Sequence, residues 1–576
     1  MNRKIEIILF TLIIFTSFFL RFYKLGEIPY GFYQDESAIG YNAYSILETG
    51  RDEYGKFMPL YFKSFGDWKL PVYIYSTVLS IKIFGLTEFA VRFPSAFFGF
   101  LTVIMFYFFI KELINEKRLT IRGKEIDTNY FALISSFILA INPWHLHYSR
   151  ATFEVSISLF LFIVGGLLLL KSFNKRSKGA FLMGTICFII SFYSYNLTRL
   201  LAPALYLLFV MTYKKQMGNI KKIEIISTFI ISFIFLVPFL KTFFSGGGIS
   251  SSSGTLITTS AQIQANLLEF RAYLVDLSSL FTKIFFNLKL LTLWKYIENI
   301  ASYLSSSFFF ITGSTHGNHG IGNVGQFYLI EILFISLGAI EIFNKKYRWG
   351  FLLFGWSVLT ILVAALTRES PHATRSFFLI APFVIFSAYG FIFFTKWLND
   401  IKNYKLKVAL FVVIGSIIIY NLIFYFTSYY IRFPVIYAKA WRSEDKKVAL
   451  FIKEHETEYE KIIFDKYAGF IYTSLLFYIP YSPWEFQKTT ERLPDDSEGF
   501  SEVKSFGKYE FRDIDWGKDL SLQRTLIITS ENRKPKEVST VEVFNFPSRP
   551  VVFSLKQKII QYPVEENAYV LIKSGE

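Results

Sequence analysis

The chain has 576 residues, of which 52% are hydrophobic and 20% aromatic, with 68 Phe and 36 Tyr. Several apolar runs approach the ~20 residues that span a hydrocarbon core, which excludes an ordinary soluble domain and points to a multi-pass membrane protein. The net charge of +16 reads as Lys and Arg of cytoplasmic loops rather than a nucleic-acid surface, and the single cysteine, Cys187, excludes a disulfide framework and any CxxC site.

The N-terminus, MNRK followed by an apolar run from Ile5 to Leu20, lacks a small-residue cleavage site and reads as a retained anchor. Next, GFYQDESAIGYNAYSILETG, residues 31 to 50, places Asp35 and Glu36 ahead of Ile39, Ala43, Ile46 and Leu47 at helical spacing, with Gly50 as a stop. This predicts a short amphipathic helix with two carboxylates in its first turn, where the positive end of the helix dipole favours their ionised form. Acids that merely stabilise a helix start would look the same. LPVYIYSTVLSIKIF, residues 70 to 84, carries Lys82 and is bracketed by Pro71 and Gly85. As a helix it covers only ~22 Å against a core of ~30 Å, so it is expected to lie along the outer membrane surface.

Basic clusters near residues 111 to 124, 171 to 178, 214 to 222, 345 to 348 and 396 to 407, with Arg3 and Lys4, mark the cytoplasmic side by the positive-inside rule. The spans that satisfy it are 5–22, 92–110, 129–146, 153–170, 179–195, 199–213, 223–243, 326–343, 349–366, 376–395 and 407–427, about eleven in all. An odd count that starts inside ends outside. The expected fold is therefore a polytopic α-helical membrane domain, residues 1–431, followed by an external soluble α/β domain, residues 432–576. Large outer loops are expected at 23–91 and 245–325. The second opens with GGGISSSSG, a hinge composition, and its charge-punctuated apolar middle, VDLSSLFTKIFFNLKLLTLWKYIENI, reads as an interfacial helix or lid. In the tail, EDKKVALFIKEH and FIYTSLLFYI read as helices, and KIIFDKYAG, TLIITS, VEVFNF and NAYVLIK as strands.

On this topology the polar residues gather on one side: Asp35, Glu36, Asp67, Lys69, Arg92, His145, His147, Arg150, Glu154, Asn196, Arg199, His316, His319, Arg368, Glu369, His372 and Arg375 all fall at outer span ends or in outer loops. Charges near membrane depth are costly and tend to face an interior cavity, so the pattern predicts a polar site in the outer leaflet. Wet outer loops account for Arg368 and Glu369 without a site, but less well for Glu154 at the start of an apolar run. Lys69, just ahead of the surface helix, can meet a lipid phosphate or serve as an interfacial anchor. In WHLHYSRATFEV, Arg150 and Glu154 stand four apart, expected on one helical face and able to form an i,i+4 ion pair. GSTHGNHGIG offers His316 and His319 to a sugar or phosphate; a metal site is the weaker reading, because two histidines three apart with no nearby third ligand are common by chance. TRESPHATRS gathers Arg368, His372 and Arg375 as an anion pocket, or as a helix start with Pro371 near its first turn.

The order of these features resembles the polyprenyl-phosphate-sugar-dependent glycosyltransferases of the GT-C superfamily, in particular the protein-mannosyltransferase-like group (glycosyltransferase family 39), which includes aminoarabinose transferases acting on lipid A. YQDESAIGYNAYSIL, GDWKLPVYIY, EFAVRFPSAFFGFLTVIMFYFF and NPWHLHYSRATFEVSISLF carry the resemblance, which covers about residues 1 to 430. It implies a GT-C-like fold, Asp35 as catalytic base with Glu36 beside it, Lys69 and Arg150 as phosphate ligands, and Glu154 as a second acid. Leu70 stands where the family usually shows proline, and no β-trefoil domain is visible, so the acceptor stays open among protein, lipid and glycan.

The chemistry leads the same way. Transfer of a sugar from a lipid phosphate to a hydroxyl needs a base for the acceptor proton, for which Asp35 is suited. It also needs cations for the departing phosphate, which Lys69 with Arg150 or Arg375 would supply. Glu154, His316, His319 and His372 are left as substrate-binding candidates. Direct displacement inverts the anomeric centre. No cofactor is required on this reading; a divalent metal at Asp35 and Glu36 fits chemically, but nothing in the spacing demands it. The alternative, a transporter or flippase of lipid-linked glycans, fits less well, because transporters often show paired halves with charges at the midplane. The expected setting is the plasma membrane, with the N-terminus cytoplasmic and the tail external. The expected partners are a polyprenyl-phosphate-linked sugar, membrane lipid and a hydroxyl acceptor, and no nucleic acid.

Overall fold

The structure, a computed structural model, describes residues 2–65, 67–116, 118–175, 177, 179–244, 256–274, 279–466, 471–495, 501–547, 554–555, 558–559 and 567–574. The chain divides into two compact units, one formed by Met1–Tyr23, Ser95–Ser149 and Phe153–Tyr425, the other by Lys24–Pro94, Arg150–Thr152 and Phe426–Glu576.

Apart from a short hairpin, Arg118–Ile121 against Lys124–Asp127, the described residues of the first unit are mainly helical, and each segment expected to span contains a helix. Arg3–Phe22, Glu88–Ile114, Val155–Asn174, Lys222–Leu240, Ala373–Asp400 and Tyr404–Ile436 are long and apolar enough to cross a bilayer; Thr128–Ile141, Ala180–Phe192, Thr198–Thr212 and Arg348–Ala364 are shorter apolar helices. The protein is a multi-pass membrane protein. Burial separates the roles of these helices: the apolar window of Ala373–Asp400 is 83% buried and that of Lys222–Leu240 only 6%, so the former is bundle core and the latter presents its side chains to lipid. The helix Glu331–Lys345 crosses Ile380–Asp400 through Gly338 and Gly390, where a Cβ would strike the carbonyls of Phe386 and Phe334. Small residues at such a crossing let two membrane helices meet backbone to backbone.

In the second long loop, GGGISSSSG lies outside the described residues. Its middle does contain an amphipathic helix, Leu288–Ser302, started by the Asn287 side chain accepting from the Leu290 amide. Tyr296 and Asn299 moor one face by donating to the carbonyls of Leu362, Ala365 and Thr367. Leu290, Leu293, Trp294 and Ile297 are exposed.

The second unit contains a seven-stranded sheet in the order Glu542–Asn545, Asn567–Lys573, Thr525–Thr529, Lys461–Asp465, Tyr509–Arg512, Val503–Phe506, Glu491–Arg492. The central strand Lys461–Asp465 runs parallel to both neighbours. Its consecutive apolar residues, Ile462, Ile463 and Phe464, all buried, suit a strand covered on both faces. The helices Asp445–Glu454 and Ile471–Tyr478 close over it, and Val448, Ile452, Leu475 and Leu476 share one core with Ala38 and Tyr41 of the helix Gln34–Thr49. The first loop is therefore packed into the tail. The sequence division placed 23–91 with the membrane domain and began the tail domain at 432; by contact, Lys24–Pro94 belongs with Phe426–Glu576.

Within that loop both expected helices form. Gln34–Thr49 ends at Gly50, whose φ of 68° is the left-handed C-cap conformation that favours glycine. Pro71 opens Pro71–Phe84, and Gly85 closes it. Between them lies a hairpin, Phe62–Ser64 against Asp67–Lys69, with Phe62 opposite Lys69 and Ser64 opposite Asp67.

Candidate active site

Asp35 and Glu36 are sequence neighbours in the first turn of Gln34–Thr49, and the second unit treats them differently. Asp35 Oδ1 lies 2.9 Å from Lys69 Nζ; the lysine side chain is 7% exposed and the aspartate 31%, so the ammonium is enclosed while the carboxylate opens outward. The hairpin holds the lysine backbone in place, and its ammonium stands 5.4 Å from the Phe65 ring centre, a cation–π contact.

Glu36 is fully buried. Arg92 grips it with two parallel bonds, Nε to Oε1 at 3.0 Å and NH2 to Oε2 at 2.8 Å. The Thr152 amide and hydroxyl also donate to Oε1, at 3.0 and 2.9 Å. Arg92 donates further to the carbonyls of Leu25, Pro29 and Gly31, and lies near the rings of Phe32 and Trp441. Gly31 has a φ of 100°, and a Cβ there would collide with the Trp441 carbonyl, so this turn takes glycine for two reasons. Four donors leave Glu36 no readily vacated oxygen for an acceptor's proton.

Arg150 is buried, and its NH2 donates to the carbonyls of Lys24 and Ile28 at 3.3 and 3.2 Å. The guanidinium also lies 5.6 Å from the ring centres of Tyr429 and Tyr430. The expectation that Arg150 and Glu154 share a helical face is not met. The helix Pro143–Tyr148, capped at its start by Asn142, stops at Ser149, turns cover 149 to 152, and the next helix starts at Val155, leaving half-buried Glu154 in the turn before it. The turn frees the Thr152 amide to meet Glu36, which an unbroken helix would not allow.

The other candidates sit in the first unit, built separately from these. His316, His319 and His372 bring their rings within 4.5 to 6.2 Å of one another, centre to centre. Glu369 lies 3.6 Å from His372 Nε2 and 3.9 Å from His316 Nε2, and Arg375 NH2 stands 3.2 Å from the same carboxylate. His372 Nδ1 accepts from the Thr374 amide as the N-cap of Ala373–Ser376, which fixes its neutral form with the proton on Nε2. His319 Nδ1 is 3.0 Å from Thr374 Oγ1, and its ring lies 5.5 Å from Phe153. His147 Nε2 meets the Asn318 carbonyl at 2.9 Å, tying down the loop that carries His316 and His319. His145 Nδ1 takes a bond from the buried Arg21 at 2.7 Å and is part of the packing. Among the described residues no group of three or more His, Cys, Asp or Glu has the geometry to hold a metal ion.

Burial drives the His319 ring down to about 3 and holds His372 well below the usual histidine value, with neighbouring histidines and Arg375 adding to both. A depressed folded value means stability that is present above the unfolded histidine pKa and lost as pH falls from ~6.5 toward the folded value. Between pH 7 and pH 5 the parent is expected to lose about 1–2 kcal/mol more than a His319→Gln variant, the value discounted for partial exposure of the ring. The gap between their melting temperatures in detergent should narrow over that interval; a constant gap shows that His319 titrates normally.

The structure thus brings Asp35, Glu36, Lys69 and Arg150 into one unit, and His316, His319, His372 and Arg375 into one cluster of the other. Two contributors had no role assigned from sequence. Arg92 had a legible signal, since a charge in the opening turns of a membrane helix calls for a buried partner. Thr152 had none.

No family model and no curated protein sequence matches the chain. The solved structures that match include two that cover nearly its whole length. ArnT from Cupriavidus metallidurans in the apo state is 11% identical, with a TM-score of 0.52, over 98% of this chain and 97% of that one. The same protein bound to undecaprenyl phosphate is 11% identical, with a TM-score of 0.51, again over 98% and 97%. At this identity the likeness is one of fold: the chain shares the fold of the ArnT structures, a polytopic helical membrane protein with a C-terminal β-sheet region, which is the fold that the resemblance in the four sequence motifs implies.

Proposed function

We propose that the protein is an integral-membrane glycosyltransferase that moves a sugar from a polyprenyl-phosphate donor to a hydroxyl acceptor at the outer face of the plasma membrane. The observation that carries this is the Asp35–Lys69 pair, a partly open carboxylate at a helix start, 2.9 Å from an enclosed ammonium. Asp35 takes the proton of the acceptor hydroxyl as its oxygen attacks the anomeric carbon. The bond from that carbon to the phosphate oxygen breaks, and the electron pair leaves on the polyprenyl phosphate. An ammonium has three donors, so Lys69 can hold a phosphate oxygen while still touching Asp35. One displacement inverts the sugar.

Glu36 is assigned to positioning rather than proton transfer, since its oxygens are occupied by Arg92 and Thr152. Arg150, held among backbone carbonyls, supports the turn beneath the site, and Lys69 is the cation assigned to the phosphate. With that charge supplied by a side chain, no metal or organic cofactor is assigned. Arg375, with His316, His319 and His372, is a second polar cluster for sugar or acceptor groups, and Glu154 remains a substrate-binding candidate. The undecaprenyl phosphate bound by the ArnT structure supports a donor of this lipid class.

The test is incubation of the purified protein with a panel of radiolabelled polyprenyl-phosphate sugars and mixed acceptors, reading consumption of donor in detergent, where there is no membrane to cross. Lys69→Ala is expected to lower kcat/KM for the donor by about 10²–10³-fold, with Lys69→Arg recovering part of it. A Lys69→Ala protein with parental kcat/KM removes the lysine from the phosphate site.

A further inference from the structure

The proposed mechanism leaves several buried acids of the second unit unused, Glu53 among them. Glu53, just past the end of Gln34–Thr49, is 2% exposed. Its Oε2 accepts from Asn42 Nδ2 at 3.3 Å and Ser64 Oγ at 3.1 Å, and its amide donates to Asn42 Oδ1 at 3.1 Å. Asn42 lies two turns beyond Asp35 on the same face of its helix. Ser64 faces Asp67 across the hairpin that ends in Lys69. A single carboxylate thus ties together the two elements that carry the Asp35–Lys69 pair.

The tail completes the arrangement. Tyr472 OH donates to Glu53 Oε1 at 3.4 Å and accepts from the Phe65 amide at 3.0 Å, and the Phe65 ring is the one beneath the Lys69 ammonium. Arg492 NH2 stands 3.6 Å from Glu53 Oε1, its guanidinium carbon 3.8 Å from the Tyr54 ring centre.

We propose that Glu53 is a positioning residue for the Asp35–Lys69 pair, and that Tyr472 and Arg492 make the tail part of that scaffold rather than a separate binding module. The proposal rests on reading Asp35 and Lys69 as base and phosphate cation. Every partner presents an N–H or O–H to the carboxylate, and a protonated acid must turn one oxygen from acceptor to donor, so the full set forms only on ionised Glu53. Burial pushes its carboxyl up to about 7; Asp52 adds to the rise, while Arg492, Ser64 and Asn42 oppose it. The titratable groups facing it are Arg492, Tyr472, Tyr41, Asp52 and Tyr54. The scaffold is therefore complete above that pH and loosened below it, which places an acid limb near pH 7 in kcat.

The experiment uses the full-length protein in detergent, with Glu53→Gln and Tyr472→Phe. Both variants are expected to lose kcat by about 10- to 100-fold with donor KM within about twofold, the signature of a misplaced but intact site. Glu53→Gln should also lose the acid limb, which a merely structural defect would leave in place. A second readout needs no turnover: acylation of Lys69 by a water-soluble reagent, followed by mass spectrometry, should be faster in both variants as the lysine leaves Asp35. Parental kcat in Glu53→Gln, an unchanged acid limb, or Lys69 acylation at the parental rate overturns the proposal. A parent that turns over no lipid-linked sugar defeats the transferase reading alone, and the acylation rates then decide the scaffold by themselves.

Discussion

Asp35→Asn is expected to lower turnover by about 10²–10⁴-fold, the range for losing a positioned general base. The amide keeps the size of the side chain and can still accept from Lys69, so the lysine stays near its place while the proton acceptor disappears. Asp35 is part-exposed and its ion pair with Lys69 is reached by solvent on the carboxylate side, so the variant should cost no more than about 1 kcal/mol of stability. The two measurements are steady-state transfer and the melting temperature of the purified protein. Loss of turnover with an unchanged melting temperature assigns the defect to chemistry; full turnover in Asp35→Asn removes the residue from the mechanism. Asp35→Glu separates charge from reach, because the longer acid would restore basicity while displacing it from the hydroxyl by about one methylene, a shift that can still cost 10²-fold.

The same helix shows how far the sequence could be read. Its start, its acids and its stop at Gly50 were legible because each follows from local chemistry: helical spacing of apolar residues, a dipole that favours first-turn carboxylates, and a left-handed cap. The tail strands Lys461–Asp465, Thr525–Thr529 and Asn567–Lys573 were legible for the same kind of reason, as short β-branched apolar runs. The strands at 491–492, 503–506 and 509–512 were not, because they are short, with polar residues on a half-exposed face, and become a sheet only by pairing with a distant strand. The hairpin that presents Lys69 escaped for a related reason: three-residue strands carry too little pattern to reveal a register. Arg150 and Glu154 misled in the other direction. A spacing of four implies a shared face only where the helix is continuous, and here the chain turns between them. Nor could local pattern show that two adjacent acids meet different surroundings, since the contacts that occupy Glu36 come from residues 56 and 116 positions away.

Glu36→Ala is the substitution expected to do most damage to the fold. It leaves Arg92, fully buried, as an uncompensated cation, and breaking a buried pair by removing one partner costs about 3–5 kcal/mol. The loss reaches further than the pair, because Arg92 also holds the carbonyls of Leu25, Pro29 and Gly31, and the Thr152 amide loses its acceptor. The expected result is a sharp fall in the yield of folded protein and a lower melting temperature, whatever happens to turnover. Glu36→Gln is milder, keeping an oxygen for Thr152 but losing the charge. The decisive comparison is a double-variant cycle with Arg92→Met, which fills the volume of the arginine stem without its charge. Glu36→Gln with Arg92→Met should be more stable than the sum of the single effects predicts, by about 1–3 kcal/mol, because the second change removes the orphaned cation. Strict additivity would mean that the two side chains are not coupled, and that Glu36 answers to Thr152 alone.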